Sequence, residues 1–478
     1  MKHQVFDQLL DNISVNGGVA FATAKVQFVG INIAGFEFGC LIDGTCPISS
    51  ATPPLSTLNG ADGAGQMQHF VKDDQMNIFR LPVSWQYLVN NNLGGTLDST
   101  NFGKYDQLMQ ACLTTGAYCA IDLHNFARFN GKIIGQDSGG PTDAQFADIW
   151  SQLATKYKSS TKVIFGLMNE PHDVDINIWA NSCQAAVTSI RNAGASSQMI
   201  LLPGNNFASA GFFVSSGSGA ALIKITNPDG SFTGLILDLH KYLDVDNSGT
   251  HPECTTDNIE DAFAIVAQFL RQNGRQGLVS ETNAGSTASC FTDFCAQNTF
   301  LNQNSDVFLG YIAWAAGSFA TSYTLSLTPS KQNGKFVDNA LASQCVVSPW
   351  LNAGTAIITS PVIASSTAVA SSAAASGSAP ASSAQITASI TTIASNGPSQ
   401  TPSPSSASAS VGTALVGTGS VTASVVVPTG SGNSSGSATA GSQTTTATQV
   451  QLTNAAVAGR VGSGALVGAG GLLMAALL

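Results

Sequence analysis

The chain has 478 residues, with 28 Asp and Glu against 18 Lys and Arg, a net charge of -10 and only 10% charged residues. Too few basic side chains are present to neutralise a phosphate backbone, so nucleic acid is excluded as a partner and a neutral substrate suits the surface better. Composition changes near residue 350, so the length does not imply several enzyme domains; about 330 residues remain to fold, within the range of an eight-stranded barrel with extended loops.

Residues 1–25 form a segment of uncertain status. Its apolar runs are broken by Lys2, His3, Asp7, Asp11 and Asn12, and none is long enough for a secretory h-region. From Val26 to Trp350, apolar strand-like runs alternate with longer amphipathic stretches, the pattern of βα units around a parallel sheet. Eight runs begin near Val26 (VQFVGINIAGF), Met76 (MNIFRLPV), Ala117 (AYCAIDLH), Lys162 (KVIFGLMNEP), Gln198 (QMILLPGNN), Leu235 (LILDLHKY), Gln276 (QGLVSETN) and Phe308 (FLGYIAWAAG). Eight such units predict an α/β fold, a (β/α)8 TIM barrel over residues 26–352. Polar residues recur at the ends of nearly all the runs: Asn32, Arg80, His124, Asn169 with Glu170, His240, Glu281 and Trp314. Convergence at one rim is what a barrel active site requires.

Among these, Glu170 and Glu281 carry the chemistry. Val163 to Pro171 reads as a buried apolar strand stopped by an amide, a carboxylate and a proline, and Gln276 to Asn283 repeats the pattern. A lone glutamate there is more often a helix cap or one half of a surface ion pair. Two at one barrel mouth point to glycoside hydrolysis, in which one carboxyl protonates the leaving oxygen and the other attacks the anomeric carbon. Arg80, inside the apolar run Ile78 to Pro82, requires a carboxylate partner. Glu281, held ionised as a nucleophile, is the functional choice, and Asp122 or another core acid the structural one. His124 and His240 share the pattern strand, acid, leucine, histidine, which suits contacts to sugar hydroxyls or support of the acid/base. A metal on these two histidines and an acid is the weaker alternative, because the carboxylate pair needs none. Asn169 can donate to the sugar 2-hydroxyl, Tyr242 to the nucleophile, and Trp314 offers a flat face to a pyranose ring or else belongs to the core. His172, Asp173, Trp85 and Trp179 lie near the same loops without an assignable role.

The nine cysteines all fall between Cys40 and Cys345, and none forms a paired C-x-x-C metal motif. They fit an oxidising compartment. Cys40 with Cys46 and Cys112 with Cys119 are close enough in sequence to staple a loop or a helix end, while Cys183 reads as the unpaired one, a small buried hydrophobe. Beyond the barrel, residues 353–453 are Ser/Thr/Ala-rich without a charge, which predicts a disordered, O-glycosylated stalk. Asn12 and Asn433 head N-glycosylation sequons. Residues 454–478 have the layout of a GPI-anchor signal: the small trio Asn454, Ala455 and Ala456, a spacer with Arg460, and an uncharged hydrophobic tail from Val461 to Leu478. A tail-anchored helix is the alternative. The two ends point to different compartments, and the expectation is an incomplete start rather than leaderless secretion.

These motifs together resemble glycoside hydrolase family 5 (cellulase family A), and within it the fungal endo-β-1,4-glucanases of the endoglucanase II type. The resemblance covers roughly residues 26 to 350 and rests on GLMNEPHD, FVGINIAGFEFGC, LHNFARFNGKIIGQ and LDLHKYLDVDNSGTHPEC. It also rests on the set Arg80, His124, Asn169, Glu170, His240, Tyr242, Glu281 and Trp314, which matches that family's active-site residues in order. It implies a retaining hydrolase with Glu170 as acid/base and Glu281 as nucleophile. It further implies disulfides Cys40–Cys46, Cys112–Cys119, Cys254–Cys290 and Cys295–Cys345. The chain lacks the small cellulose-binding module that many secreted relatives carry across such a linker, so efficient attack on crystalline cellulose is not expected. The resulting expectation is a monomeric endo-β-1,4-glucanase with a β-glucan substrate, no cofactor, no metal, and attachment to the cell surface or wall through a lipid anchor. Alternatives are action on mannan, xyloglucan or mixed-linkage glucan, transglycosylation, and a non-catalytic glucan-binding wall glycoprotein.

Overall fold

The computed structural model describes residues 25–56 and 61–353. The expectations for the N-terminal segment, the stalk, the hydrophobic tail and the two sequons lie outside the described residues. Eight strands close into a barrel in sequential order: β1 (Phe28–Ala34), β2 (Ile78–Val83), β3 (Tyr118–Leu123), β4 (Val163–Gly166), β5 (Ile200–Pro203), β6 (Leu235–His240), β7 (Gly277–Thr282) and β8 (Phe308–Gly317). All neighbours are parallel, and β8 returns to β1 with Phe28 opposite Gly310. Each begins within two residues of the position read from the sequence.

The strands are buried along almost their whole length because helices cover the outer face and side chains fill the inside. Besides the short helix Trp85–Val89, the α-helices among the described residues are α1 (Gly63–Lys72), α2 (Asn101–Thr114), α3 (Asp143–Tyr157), α4 (Ile176–Asn192), α5 (Ser218–Leu222), α6 (Ala264–Asn273), α7 (Ala288–Gln303) and α8 (Ser348–Asn352). Their starts follow local chemistry. Thr142 and Gln145 form a reciprocal capping box before α3, and the Asp175 carboxylate accepts from the N–H groups of Asn177 and Ile178 before α4.

Alternation along the strands sorts the interior into layers. Phe28, Ile78, Ala120, Ile164, Leu201, Ile236, Leu278 and Leu309, one from each strand, make an apolar floor. Two residues further along β2, β3, β6 and β7 the same face carries Arg80, Asp122, Asp238 and Ser280, all buried. The polar layer of the site is thus the next step up from the floor. Strand packing is tight at two glycines: a Cβ on Gly30 would lie 1.6 Å from the Ile78 carbonyl oxygen, and one on Gly310 would lie 1.9 Å from that of Phe28.

Four disulfides join Cys40–Cys46, Cys112–Cys119, Cys254–Cys290 and Cys295–Cys345, and Cys183 is buried and free. The last two fasten the loop after β6 to α7, and α7 to the turn before α8. Trp350 donates its indole N–H to the carbonyl of Val26 at 3.2 Å, joining the last helix to the start of the barrel. No helix among the described residues is long and apolar enough to cross a membrane.

Candidate active site

The residues singled out in the sequence converge at the carboxyl ends of the strands. Glu281 is the penultimate residue of β7, and Glu170 lies four residues beyond β4 with a left-handed backbone, φ 45°. Such a conformation is uncommon for a residue with a Cβ and collects at functional sites. Carboxylate oxygens of the two glutamates and a ring nitrogen of His240 lie within 4.8 Å of one another.

Glu281 is held from both sides. Its Oε1 accepts from the Tyr242 hydroxyl at 2.6 Å, and its Oε2 accepts from Arg80 Nη1 at 2.8 Å. Arg80 sits mid-strand, in the polar interior layer rather than at the strand end, and the two candidate partners for it are both satisfied: its other nitrogen meets Asp122 at 2.9 Å. Burial opposes the guanidinium charge, but Asp122 and Glu281 outweigh burial and hold it protonated above its ordinary value. Burial, followed by the charge of Glu281, pushes the Tyr242 hydroxyl well above its usual range, so it remains a donor.

Glu170 stands in the opposite electrostatic condition. Burial, and then repulsion from Glu281, raise its carboxyl well above the usual carboxylate range. Its Oε1 is 2.9 Å from Nδ1 of His240, whose other nitrogen is 3.0 Å from the Ser280 hydroxyl. Burial, and then the charge of Arg80, drop His240 well below its ordinary value and keep it neutral. A carboxyl that holds its proton, next to a carboxylate paired with a cation, is the pattern of an acid paired with a nucleophile.

Asn169 is fixed by a relay. His124 Nδ1 lies 2.8 Å from Asp122 Oδ2, so its Nε2 is left to accept from the Asn169 amide at 3.2 Å, while the Asn169 carbonyl accepts from Arg80 at 2.7 Å. Trp314, 7% exposed, lies parallel to the His124 ring, with centroids 5.5 Å apart and planes at 17°.

Comparison with known proteins places the chain. Residues 43–317, more than half the chain, match the cellulase family, glycosyl hydrolase family 5. The chain belongs to this family. Endoglucanase EG-II of Hypocrea jecorina is 61% identical over 328 residues, covering 68% of this chain and 78% of that protein. The manganese dependent endoglucanase Eg5A of Phanerodontia chrysosporium is 46% identical over 313 residues, covering 65% of this chain and 77% of its own. The crystal structure of Cel5A (EG2) from Hypocrea jecorina superposes with a TM-score of 0.67 at 60% identity, over 68% of this chain and 99% of that one.

Several residues that shape this family 5 site escaped the sequence reading. Asp122 was legible as a partner for Arg80 but not as the group that orients His124, although two residues apart on a strand means one face. Ser280 supports His240 in the same way. Glu37 has no motif to mark it: it is buried beyond β1, accepts from the Gly35 N–H at 2.7 Å, and is raised to about 7 by burial. His172 stacks on Phe207 with centroids 4.5 Å apart and approaches the Ile42 carbonyl at 2.8 Å, while Trp85 and Trp179 are core residues.

Proposed function

We propose that the protein is a retaining endo-β-1,4-glucanase in which Glu170 is the acid/base and Glu281 the nucleophile. The observation that carries this reading is the separation of the two carboxylates, within 4.8 Å at their near oxygens. Retaining glycosidases hold the pair about 5–5.5 Å apart, whereas inverting ones need about 6.5–9.5 Å to seat a water between them.

In the first step Glu281 attacks the anomeric carbon while Glu170 gives its proton to the departing glycosidic oxygen, leaving a covalent glycosyl ester. In the second, the Glu170 carboxylate takes a proton from water, the oxygen of which attacks the same carbon and frees Glu281. Arg80 and Tyr242 hold and aim the Glu281 carboxylate. The oriented Asn169 amide serves the 2-hydroxyl, where a hydrogen bond strengthens as positive charge develops on the ring. The Hypocrea and Phanerodontia relatives are named endoglucanases, which favours internal cleavage of β-1,4-glucan over other β-glycans. The manganese dependence named for one relative belongs to that protein; the double displacement itself needs only the two carboxyls. One chain supplies both, so a monomer suffices. Four disulfides suit an oxidising, extracellular setting, and the GPI-like tail would hold the enzyme at the cell surface.

The test is viscosity and reducing-sugar release on carboxymethyl cellulose, with Glu281→Gln as control. We expect a rapid fall in viscosity with little sugar released, and a loss of several orders of magnitude in turnover for a folded Glu281→Gln. Near-normal activity in that variant would remove Glu281 from the nucleophile's role.

A further inference from the structure

On the outside of the barrel, where α1 ends, four ionisable side chains meet. His69 in the last turn of α1 has Nδ1 2.6 Å from Asp73 Oδ2 and Nε2 2.9 Å from Asp338 Oδ1, with Asp74 Oδ2 4.0 Å from the same Nε2. Asp338 arrives from the long connection after β8, directly behind the hairpin Ser330–Gln332/Lys335–Val337. The side chains of His69, Asp338 and Asp74 are 7%, 10% and 12% exposed. The Asp74 Oδ2 atom is fully buried with no hydrogen-bond partner.

Acidic groups are concentrated here. Three carboxylates face one imidazole, and no Lys or Arg among the described residues pairs with any of them. Asp73 and Asp74 also stand at the C-terminal, negative end of α1, where anions are disfavoured. A doubly protonated His69 can donate to Asp73 and to Asp338, yet it leaves Asp74 Oδ2 with no closer imidazole contact than 4.0 Å. A cation placed between His69 Nε2, Asp74 Oδ2 and Asp338 Oδ1 satisfies all three at once.

We propose that His69, Asp74 and Asp338 bind a first-row divalent cation, Mn2+ or Zn2+, that fastens the β8–α8 connection to α1. The three donor atoms lie within 4.8 Å of one another. Ligands about 2.1 Å from a tetrahedral ion sit about 3.4 Å apart, so the spacings present bracket the required one. One imidazole and two carboxylates suit Mn2+ or Zn2+ better than Ca2+ or Mg2+, which favour oxygen alone. Asp73 completes the arrangement: accepting from Nδ1–H fixes the tautomer that presents the Nε2 lone pair, the usual support of a metal-bound histidine.

The cluster Asp244, Asp246 and His251 is no equal candidate. Its Asp244 Oδ2 already accepts from the N–H groups of Thr250 and His251 and from the Ser248 hydroxyl. The other competing cluster is Glu170, His240 and Glu281, which is the proposed catalytic site.

The experiment is calorimetric titration of the full-length, EDTA-stripped protein with MnCl2 and with ZnCl2. Wild type is compared with Asp74→Asn, Asp338→Asn and Glu281→Gln, and each is melted with and without metal. We expect one ion per chain for at least one of the metals and a melting midpoint raised by about 4 °C at saturation. Affinity should fall at least tenfold in Asp74→Asn and in Asp338→Asn, while both variants keep hydrolysing carboxymethyl cellulose as proof of fold; Glu281→Gln should bind like wild type. Absence of binding to wild type, binding unchanged in both Asn variants, or loss confined to Glu281→Gln would each overturn the assignment.

Discussion

At the scale of single residues, the site divides its two glutamates by environment. Glu281 faces Arg80 and the Tyr242 hydroxyl, whereas Glu170 faces a neutral His240 and the charge of Glu281. Under the proposed roles, Glu170→Gln removes proton donation and leaves the nucleophile in place. Steady-state kinetics on cello-oligosaccharides should show a loss of roughly 100-fold or more, and the glycosylation step on an aryl glycoside with a good leaving group should lose much less. Equal losses on both would contradict the acid role. Because the Glu170 carboxyl is raised, the acid form persists above the usual carboxylate range, and the wild-type rate on poor leaving groups should fall only as pH rises through that elevated value. The sequence disclosed these residues because a charge ending an apolar run has few structural uses. It disclosed the supporting partners less well: Asp122 and Ser280 look like ordinary strand polars until the barrel closes and turns them inward.

At the scale of elements, the starts of the eight strands were legible within two residues because buried parallel strands are apolar and bounded by turn residues. The helices were less so. α5 and α8 are only five residues each, and no periodicity declares itself over so short a span. Nor does a sequence show how closely strands approach. Gly310 in β8 leaves no room for a Cβ beside the Phe28 carbonyl, 1.9 Å away, so β1 and β8 depend on a bare backbone there. Gly310→Ala should destabilise the barrel by about 3 kcal/mol or more, measured by urea unfolding, through separation of the two strands that close it. A change below about 0.5 kcal/mol would show that the closure yields easily.

At the scale of the whole molecule, buried carboxyls make stability depend on pH in a way that composition does not reveal. Glu37 rises from 4.5 to about 7 through burial. Between those values the unfolded chain has released its proton and the folded chain has not, so stability falls as pH rises across that window. Glu37→Gln lacks this loss. Its melting temperature relative to wild type should be flat below about pH 4.5, climb toward pH 7 and then level off, a gain of up to roughly 3 kcal/mol. A pH-independent difference would show that Glu37 is ionised in the fold or that its burial is compensated. The barrel as a whole exists to hold two carboxyls at one spacing, and the stereochemistry of the product reports that spacing most directly. Proton NMR of the first sugar released from a cello-oligosaccharide should show the β anomer forming first and the α anomer only by later mutarotation. Initial release of the α anomer would mean inversion, and would contradict the assignment of Glu281 as a covalent nucleophile.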